Sequence, residues 1–142
     1  MFNYLNSKVM ENSKETTKTK GEFKEMVKDI RVAMLCTHSA DGHIHSRPMG
    51  TTEVDEEGNI WFFTRESSPK TEEIEDNPDV CVCYSAPDDN TYVSVMGTAK
   101  LIHDPQKIER LWHPLIKVWF PEGKDDPELL LIKIDTHSAE YW

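Results

Sequence analysis

The clearest structural signal in the chain lies in residues 32–65, VAMLCTHSADGHIHSRPMGTTEVDEEGNIWFFTR. Three segments rich in apolar, β-branched and aromatic residues, at 32–38, 43–54 and 60–65, alternate with polar turns, which is a pattern typical of β-strands. The first turn contains Asp41-Gly42, a pair that favours a tight hairpin. The segment therefore predicts three consecutive strands of an antiparallel sheet.

The rest of the chain extends this pattern. Further strands are predicted at residues 80–84, 92–103 and 129–134, and Gly97 indicates a bulge or bend within the long middle one. Six closely spaced strands joined mostly by hairpin turns favour a mainly β (α+β) fold with short helices, built around a six-stranded antiparallel β-barrel. The helices are too few and too short for a doubly wound parallel sheet.

Three helical segments are predicted beside these strands. The spacing of apolar residues predicts a helix over residues 21–31. A second helix should run from Ser68-Pro69, which suit an N-cap and a first helical position, to about Asn77. A third should follow Asp104-Pro105 and be kinked or divided by Pro114. Its predicted apolar face consists of Ile108, Leu111, Trp112, Leu115 and Trp119.

Composition restricts the partners. The 142 residues carry 26 acidic and 16 basic side chains, a formal net charge of -10, which argues against nucleic acid or an anionic membrane as partner. Residues 1–20 are polar and are interpreted as a flexible lead-in to a single domain at 21–142. A cytoplasmic location is predicted because neither a signal peptide nor a membrane-spanning run is visible. Residues 32–142 hold nine Lys and Arg against 21 Asp and Glu, so a phosphate-bearing ligand must rely on a few identifiable cations.

Two segments could supply those cations. One face of the extended second strand carries His43, His45, Arg47 and Met49. The planar Arg47 guanidinium suits a phosphate. Further along, the predicted strand at 60–65, which carries Thr64 near its end, leads to a helix N-terminus with Ser68 and Lys70, where N–H groups, hydroxyls and an ammonium lie close together. The plainer alternatives are a barrel-rim strand with a surface arginine and an ordinary capped surface helix.

Other residue patterns leave alternatives open. His43-x-His45 and Cys81-x-Cys83 each place two metal-ligating side chains on one strand face, so a zinc site is one alternative, although no CxxC pair or HExxH helix is present. A catalytic Cys–His pair is another, but Cys36, Cys81 and Cys83 fall in predicted strands, where thiols usually pack as small hydrophobes. No metal site is predicted, and any chemistry would come largely from a cofactor.

Several short motifs follow one another in a fixed order. In the first half they are Arg47-Pro48-Met49, Trp61-Phe62-Phe63-Thr64, Asn77-Pro78-x-Val80 and Tyr92-Val93-Ser94-Val95-x-Gly97-x-Ala99. In the second half they are Leu111-Trp112, Trp119-Phe120-Pro121, Gly123-Lys124-Asp125-Asp126-Pro127 and Ala139-Glu140-Tyr141-Trp142. Their order and spacing, from about Phe23 to Trp142, resemble the general stress protein family of the pyridoxamine 5′-phosphate oxidase-like superfamily.

The resemblance implies an FMN-binding split β-barrel that works as a homodimer with the flavin at the subunit interface. The cofactor-binding set that it implies is Arg47, Pro48, Met49, Phe62, Phe63, Thr64, Ser68, Lys70, Trp112, Trp119 and Trp142. In this set the charged and hydroxyl-bearing members hold the phosphate. The backbone at 48–49 and the two phenylalanines line the isoalloxazine, and the three tryptophans close the pocket from the facing subunit.

The function implied by the resemblance is an FMN-dependent oxidoreductase that passes hydride or electrons between a small-molecule donor, such as a reduced nicotinamide, and an unidentified acceptor. No catalytic side chain is assigned. One alternative is a flavin-binding or flavin-buffering stress protein without turnover, and another is a split barrel that has lost its cofactor site. Oxidation of vitamin B6 is not predicted, because the arginine-rich C-terminal substrate segment of the oxidase is missing and the only cation after Lys124 is Lys133.

Overall fold

The structure is a computed structural model that describes residues 8–11 and 17–142. The strands are β1 Lys8–Glu11, β2 Val32–His38, β3 Ile44–Gly50, β4 Glu53–Val54, β5 Ile60–Arg65, β6 Asp79–Ala86, β7 Thr91–Ile102 and β8 Leu129–Tyr141. The helices are α1 Thr17–Val27, α2 Pro69–Asp76 and α3 Pro105–Leu111, with short 3₁₀ helices at Pro87–Asp89 and Pro114–Val118. Within these residues no helix has the length and apolar character needed to cross a membrane.

All strand pairs in the described residues are antiparallel, which confirms the predicted mainly β architecture with short helices. The prediction of six strands is wrong. Seven strands follow one another in the order β3-β2-β6-β7-β8-β5-β4, and β1 pairs with β8 beside this path. One extra strand arises because the predicted strand at 43–54 divides into β3 and β4.

The division of that strand explains why the sheet curls. The Thr51 N–H donates to the Arg31 carbonyl, whereas the Thr52 N–H donates to the Trp61 carbonyl, each over 2.9 Å, so the chain changes its pairing partner between these two residues. The link from Gly50 to Glu53 spans at most about 10 Å. A flat sheet would separate β3 from β4 by about 29 Å, six strand spacings. The sheet must therefore curl into a half-barrel to bring its two ends together.

Several local predictions hold. Strands β2 and β5 have the predicted bounds, and β2 and β3 form the predicted hairpin, with Gly42 at a φ of 84°. The β7–β8 register shifts between Met96 and Gly97, which confirms the bulge. A Cβ at Gly97 would lie 2.5 Å from the Asp135 carbonyl oxygen, so the close approach of β8 requires glycine there. Strand β8 runs to Tyr141, well beyond its predicted end at residue 134.

The helices differ more from the predictions. Helix α1 occupies Thr17–Val27 instead of residues 21–31, because the chain leaves the helix at a turn in which the Ile30 N–H donates to the Val27 carbonyl. Within the predicted lead-in, residues 8–11 form β1, and residues 1–7 and 12–16 lie outside the described part. The domain boundary at residue 20 stays a prediction.

The third predicted helix is divided, as expected for a segment that contains Pro114. Helix α3 ends at Leu111, and a 3₁₀ helix follows at Pro114–Val118. The single apolar face predicted across both parts is wrong, since Leu115 is 57% exposed and Trp119 is 77% exposed. The division turns these two side chains away from the surface that Ile108 packs on.

Two apolar clusters flank β5 and β8. The main core includes Ile60 and Phe62 together with the inward residues of β2, β6 and β7, whereas the second cluster includes Trp61 and Phe63 with residues of α3 and Phe120. Successive side chains of a strand point to opposite faces, so β5 contributes to both clusters in alternation. This alternation decides which aromatic residues can share a site.

Candidate functional site

Arg47 lies on β3 opposite Leu35 of β2, on the face that the main core covers. Its guanidinium donates to the Leu35 carbonyl over 3.2 Å and to Thr37 Oγ1 over 2.7 Å. It also donates to Glu73 Oε1 of α2 over 3.1 Å. Three acceptors from two elements therefore hold the guanidinium in place at the edge of the sheet.

Lys70 and Ser68 lie at the start of α2. Ser68 occupies the N-cap position, as predicted, but its side chain makes no capping bond to the helix. Instead, the Lys70 ammonium donates to Ser68 Oγ over 2.8 Å. Burial lowers the pKa of Lys70, and the positive charge of Arg47 lowers it further. The fold therefore brings two predicted phosphate-binding cations close enough to repel each other.

Lys70 differs from the other cations of the acidic body. Six of the nine Lys and Arg after residue 31 have a carboxylate oxygen within 3.3 Å, namely Arg47, Arg65, Lys100, Lys107, Lys124 and Lys133. Arg110 and Lys117, which the described residues leave without such a partner, are exposed. Lys70 is half-buried, and no carboxylate of the described residues pairs with it. A half-buried cation beside another cation favours an anionic ligand.

A hydroxyl without a partner lies at the end of β5. Thr64 is buried, and its Oγ1 atom has no hydrogen-bond partner among the residues that the structure describes. The adjoining turn is well bonded, since the Ser68 N–H and Thr71 Oγ1 both donate to the Arg65 carbonyl. Two cations, the Ser68 hydroxyl and this orphaned hydroxyl are the donor types that a phosphate monoester accepts, so these residues fit the phosphate of FMN.

The predicted ring-lining residues are only partly brought together. Pro48 is exposed on the edge strand β3, and Met49 is half-buried against the main core. Phe62 and Phe63 point to opposite faces of β5 and are both buried, Phe62 completely. Within one chain the two rings therefore cannot line the same pocket, because the strand alternates its side chains, and their predicted contact with a flavin stays a prediction.

The three tryptophans lie apart from the Arg47–Lys70 pair or on the molecular surface. Trp112 packs edge-on against Phe63 in the second cluster, with ring centroids 5.7 Å apart. Trp119 is exposed. Trp142 follows β8, whose Leu130 pairs with Thr64, and Tyr141 is already about 36 Å further along that strand. One chain does not bring Trp142 to the Thr64 end of the site, so its predicted role requires a second copy and stays a prediction.

Glu73 is a site residue whose role the sequence reasoning missed. A carboxylate next to a phosphate pocket counts against that pocket unless it turns outward, yet the Glu73 side chain is only 12% exposed and accepts from Arg47 and Thr37. Its second oxygen lies 3.0 Å from His45 Nδ1. Lys70 and Glu73 are three residues apart and therefore lie on one side of α2. This spacing could have identified Glu73 as a site residue from the sequence.

The metal and thiol alternatives do not fit the geometry. His45 pairs with the buried Thr37 and shares its face, whereas Cys81 pairs with Cys36 on the opposite, outer face of the sheet. His45 therefore cannot converge with Cys81 and Cys83 on one ion. In residues 8–11 and 17–142 no group of three or more His, Cys, Asp and Glu could hold a metal ion.

Comparisons with known proteins match most of the chain. A family model described as "Pyridoxamine 5'-phosphate oxidase like" matches residues 18–142. General stress protein 26 of Bacillus subtilis is 32% identical over 123 residues, which cover 80% of this chain and 84% of that protein. The solved structure of the general stress FMN/FAD binding protein from Xanthomonas citri is 29% identical with a TM-score of 0.73, and the match covers 92% and 89% of the two chains.

A further solved structure shares the fold. The protein related to general stress protein 26 from Clostridium acetobutylicum has a TM-score of 0.76 and 23% identity, with 89% of each chain covered. This match supports the fold.

Proposed function

The chain belongs to the pyridoxamine 5′-phosphate oxidase-like family and to its general stress proteins, and from this we propose that it is an FMN-binding split-barrel oxidoreductase. The observation that carries the proposal is the half-buried Lys70, which has no carboxylate partner in the described residues and lies beside Arg47. The Xanthomonas citri relative, which is described as FMN/FAD binding, supports a flavin as the ligand.

The phosphate of FMN would bind between Arg47 and Lys70. Its negative charge would remove the repulsion that lowers the Lys70 pKa, and the Ser68 hydroxyl already lies 2.8 Å from the ammonium. Glu73, Thr37 and the Leu35 carbonyl would hold the guanidinium in position before the ligand arrives. Charge-assisted hydrogen bonds of this kind contribute about 1.5–3 kcal/mol each.

The bound flavin would supply a ring that can accept and donate hydride or electrons. The chain's own residues would then position it rather than perform acid–base steps. Pro48 has no N–H to donate, so this part of the edge strand is free of a ladder donor and open to a ligand. Met49 anchors the same strand on the main core.

We propose that the working unit is a homodimer in which a second copy closes the flavin site. The segment Pro114–Val118 and the residue after it expose three large apolar side chains on one short stretch of chain, namely Leu115, Val118 and Trp119. Covering such side chains removes apolar area from water. The aromatic residues predicted to come from the facing subunit would be supplied in this way. We also propose a cytoplasmic protein that uses a small-molecule donor or acceptor and has no nucleic-acid or membrane partner.

Comparison of FMN with riboflavin tests the phosphate assignment, because riboflavin lacks only the phosphate. Wild-type protein should bind FMN about 10²–10⁴ times more tightly than riboflavin, which corresponds to two charge-assisted contacts. The Arg47→Ala/Lys70→Ala variant should lose this preference and keep its riboflavin affinity. Arg110→Ala, which removes an exposed cation without a carboxylate partner in the described residues, is the matched control and should retain the preference.

Equal affinities for FMN and riboflavin in the wild type would overturn the phosphate site. Enzymatic turnover is tested separately by anaerobic addition of NADH or NADPH to the FMN-loaded protein. Bleaching of the flavin absorbance supports the oxidoreductase. A flavin that binds tightly but is not reduced by either donor would favour the non-catalytic flavin-binding protein.

A further inference from the structure

Three thiols and two hydroxyls share the outer face of the sheet, away from the Arg47–Lys70 site. Cys36 of β2 pairs in register with Cys81 of β6, and Cys83 follows two residues later on the same strand face. Ser46 lies beside Cys36, and Ser94 lies opposite Cys83. All three thiols are free and half-buried.

The distances single out one pair of thiols. Cys81 Sγ lies 3.7 Å from Cys83 Sγ and 3.4 Å from Ser94 Oγ, and the Cys83 thiol lies 4.0 Å from the same hydroxyl. Cys36 has a different neighbour, Ser46 Oγ at 3.3 Å. Two sulfurs in contact next to a shared hydroxyl form the geometry of a dithiol rather than of isolated core cysteines.

We propose that Cys81 and Cys83 form a redox-active dithiol that hydroperoxides convert reversibly to an intrastrand disulfide. The Cys81 thiolate attacks the terminal peroxide oxygen, the O–O bond breaks, the alkoxide leaves and takes a proton from water, and Cys81 becomes a sulfenic acid. Cys83 then attacks the Cys81 sulfur. The S–S bond forms, the S–O bond breaks, and hydroxide leaves as water with the thiol proton. The two sulfurs lose two electrons in total, which the peroxide accepts.

The two thiols have different roles because of the contact between them. The hydrogen bond from Cys83, with a further one from Ser94, lowers the pKa of Cys81 to about 6. The same contact raises the pKa of Cys83 above its ordinary value, and burial raises it further. These opposite shifts favour Cys81 as the thiolate nucleophile and Cys83 as the protonated thiol that resolves the sulfenic acid.

The position of the pair in the fold explains why the bridge would be reversible. A disulfide across one intervening residue of a strand is strained, since extended backbone holds the two Cα atoms near the upper limit for a bridge. Strand β6 is paired on both sides, with β2 and β7, so its backbone resists the shortening of the Cα separation that would relieve the strain. Strained disulfides have higher reduction potentials and are easily reduced.

The outer face also allows access to a small oxidant. Met34 and Met96, which are 40% and 59% exposed, flank the pair on β2 and β7. The reaction needs no flavin, so its outcome does not depend on the proposed function.

The test uses the full chain, with and without FMN, treated with limiting hydrogen peroxide under native conditions and analysed by intact mass and peptide mapping. The expected product is lower in mass by about 2 Da, contains a Cys81–Cys83 bridge, and returns to the starting mass with dithiothreitol. Cys36→Ser should give the same product at the same rate. Cys83→Ser should instead stop at a Cys81 sulfenic acid that dimedone traps, and Cys81→Ser should react at neither position.

Three results would overturn the proposal. One is a bridge between Cys36 and Cys81, the register partners. Another is a disulfide between two chains. The third is thiols that react only after unfolding or after dilution to monomers, which would mean that the native assembly covers this face. Light scattering on the same samples distinguishes a covered interface from an unreactive monomer.

Discussion

Replacing Lys70 by methionine should weaken FMN binding without lowering the stability of the apo-protein. The Lys70 pKa is lowered from its ordinary 10.5 by burial and by the charge of Arg47. A lysine whose pKa is lower in the folded protein than in the unfolded chain opposes folding. This penalty is fully present below the folded pKa and disappears as the pH rises through 10.5. At pH 7 methionine removes the penalty while it keeps the apolar stem.

The expected change in the free energy of unfolding of the apo-protein is small. The variant loses one hydrogen bond to the Ser68 hydroxyl, which costs about 0.5–1 kcal/mol. It is stabilised in return because a half-buried charge that Arg47 repels is removed. We expect the Lys70→Met apo-protein to be as stable as the wild type or up to about 1 kcal/mol more stable. Its FMN affinity should fall about 10- to 150-fold, because one charge-assisted contact worth about 1.5–3 kcal/mol is lost.

Arg47→Met is the matched comparison, and its effect on stability should have the opposite sign. This variant removes one donor each from the Leu35 carbonyl, Thr37 Oγ1 and Glu73 Oε1, and leaves the mostly buried Glu73 carboxylate with only Thr37 and His45 beside it. Losing hydrogen bonds to a charged group costs about 1–3 kcal/mol, so the apo-protein should lose stability by that amount. The FMN affinity should fall in both variants.

Urea unfolding of the two apo-variants gives the stabilities, and quenching of flavin fluorescence gives the affinities. The two measurements must be made on the same preparations. If Lys70→Met destabilises the apo-protein by more than about 1 kcal/mol and leaves FMN binding unchanged, Lys70 is a structural residue and the anion site is refuted.

Three further predictions concern stability. Gly97→Ala should lower the free energy of unfolding by at least about 2 kcal/mol in thermal unfolding, because its Cβ would clash with a backbone carbonyl of β8. The control is Gly50→Ala, whose Cβ meets nothing within 4 Å and which should change the free energy of unfolding by less than about 0.5 kcal/mol. Equal effects in the two variants would contradict the clash. Burial raises the pKa of Tyr84 to about 12, so the neutral phenol stabilises the fold below pH 10, and about 3 kcal/mol of the free energy of unfolding is lost as the pH rises from 10 to 12. Tyr84→Phe should abolish this alkaline loss of stability. An unchanged loss in the variant would assign it to other groups. Asp104→Ala should cost about 1 kcal/mol because its side chain accepts from the first N–H groups of α3, whereas Asp104→Asn keeps an acceptor oxygen and should cost less than about 0.5 kcal/mol. Equal losses in these two variants would refute the capping role.

The fold was predictable where the signal is local. Strands β2 and β5 have their predicted bounds because turn residues and runs of aromatic and β-branched residues mark both ends. The separation of β3 from β4 was not predictable from residues 43–54 alone, because it depends on which distant strand each half pairs with. The pairing of β1 with β8 joins segments about 130 residues apart, and the four residues Lys-Val-Met-Glu are too short a pattern to reveal it.

The candidate site follows the same division between local and distant signals. Arg47 and Lys70 could be identified because cations are scarce after residue 31 and both lie next to turn or capping patterns. The burial of Glu73 against Arg47 depends on how α2 packs over β2, which no local pattern reveals. The opposite orientation of Phe62 and Phe63 follows from the period of two along a strand. This alternation can be read from the sequence alone, and it decides the orientation of the two rings within one chain.

The charges of the site suggest a division of roles between its two cations. Glu73 already neutralises Arg47, and together with Thr37 and the Leu35 carbonyl it fixes the direction of the guanidinium. Lys70 keeps its full charge, because the other carboxylates of the described residues pair elsewhere or face solvent. Arg47 therefore orients a bound anion and destabilises the ligand-free protein little. Lys70 supplies the uncompensated positive charge, which contributes most of the electrostatic attraction for an anion. An acidic chain can hold one phosphate in this way while its surplus of carboxylates repels polyanions from the rest of its surface.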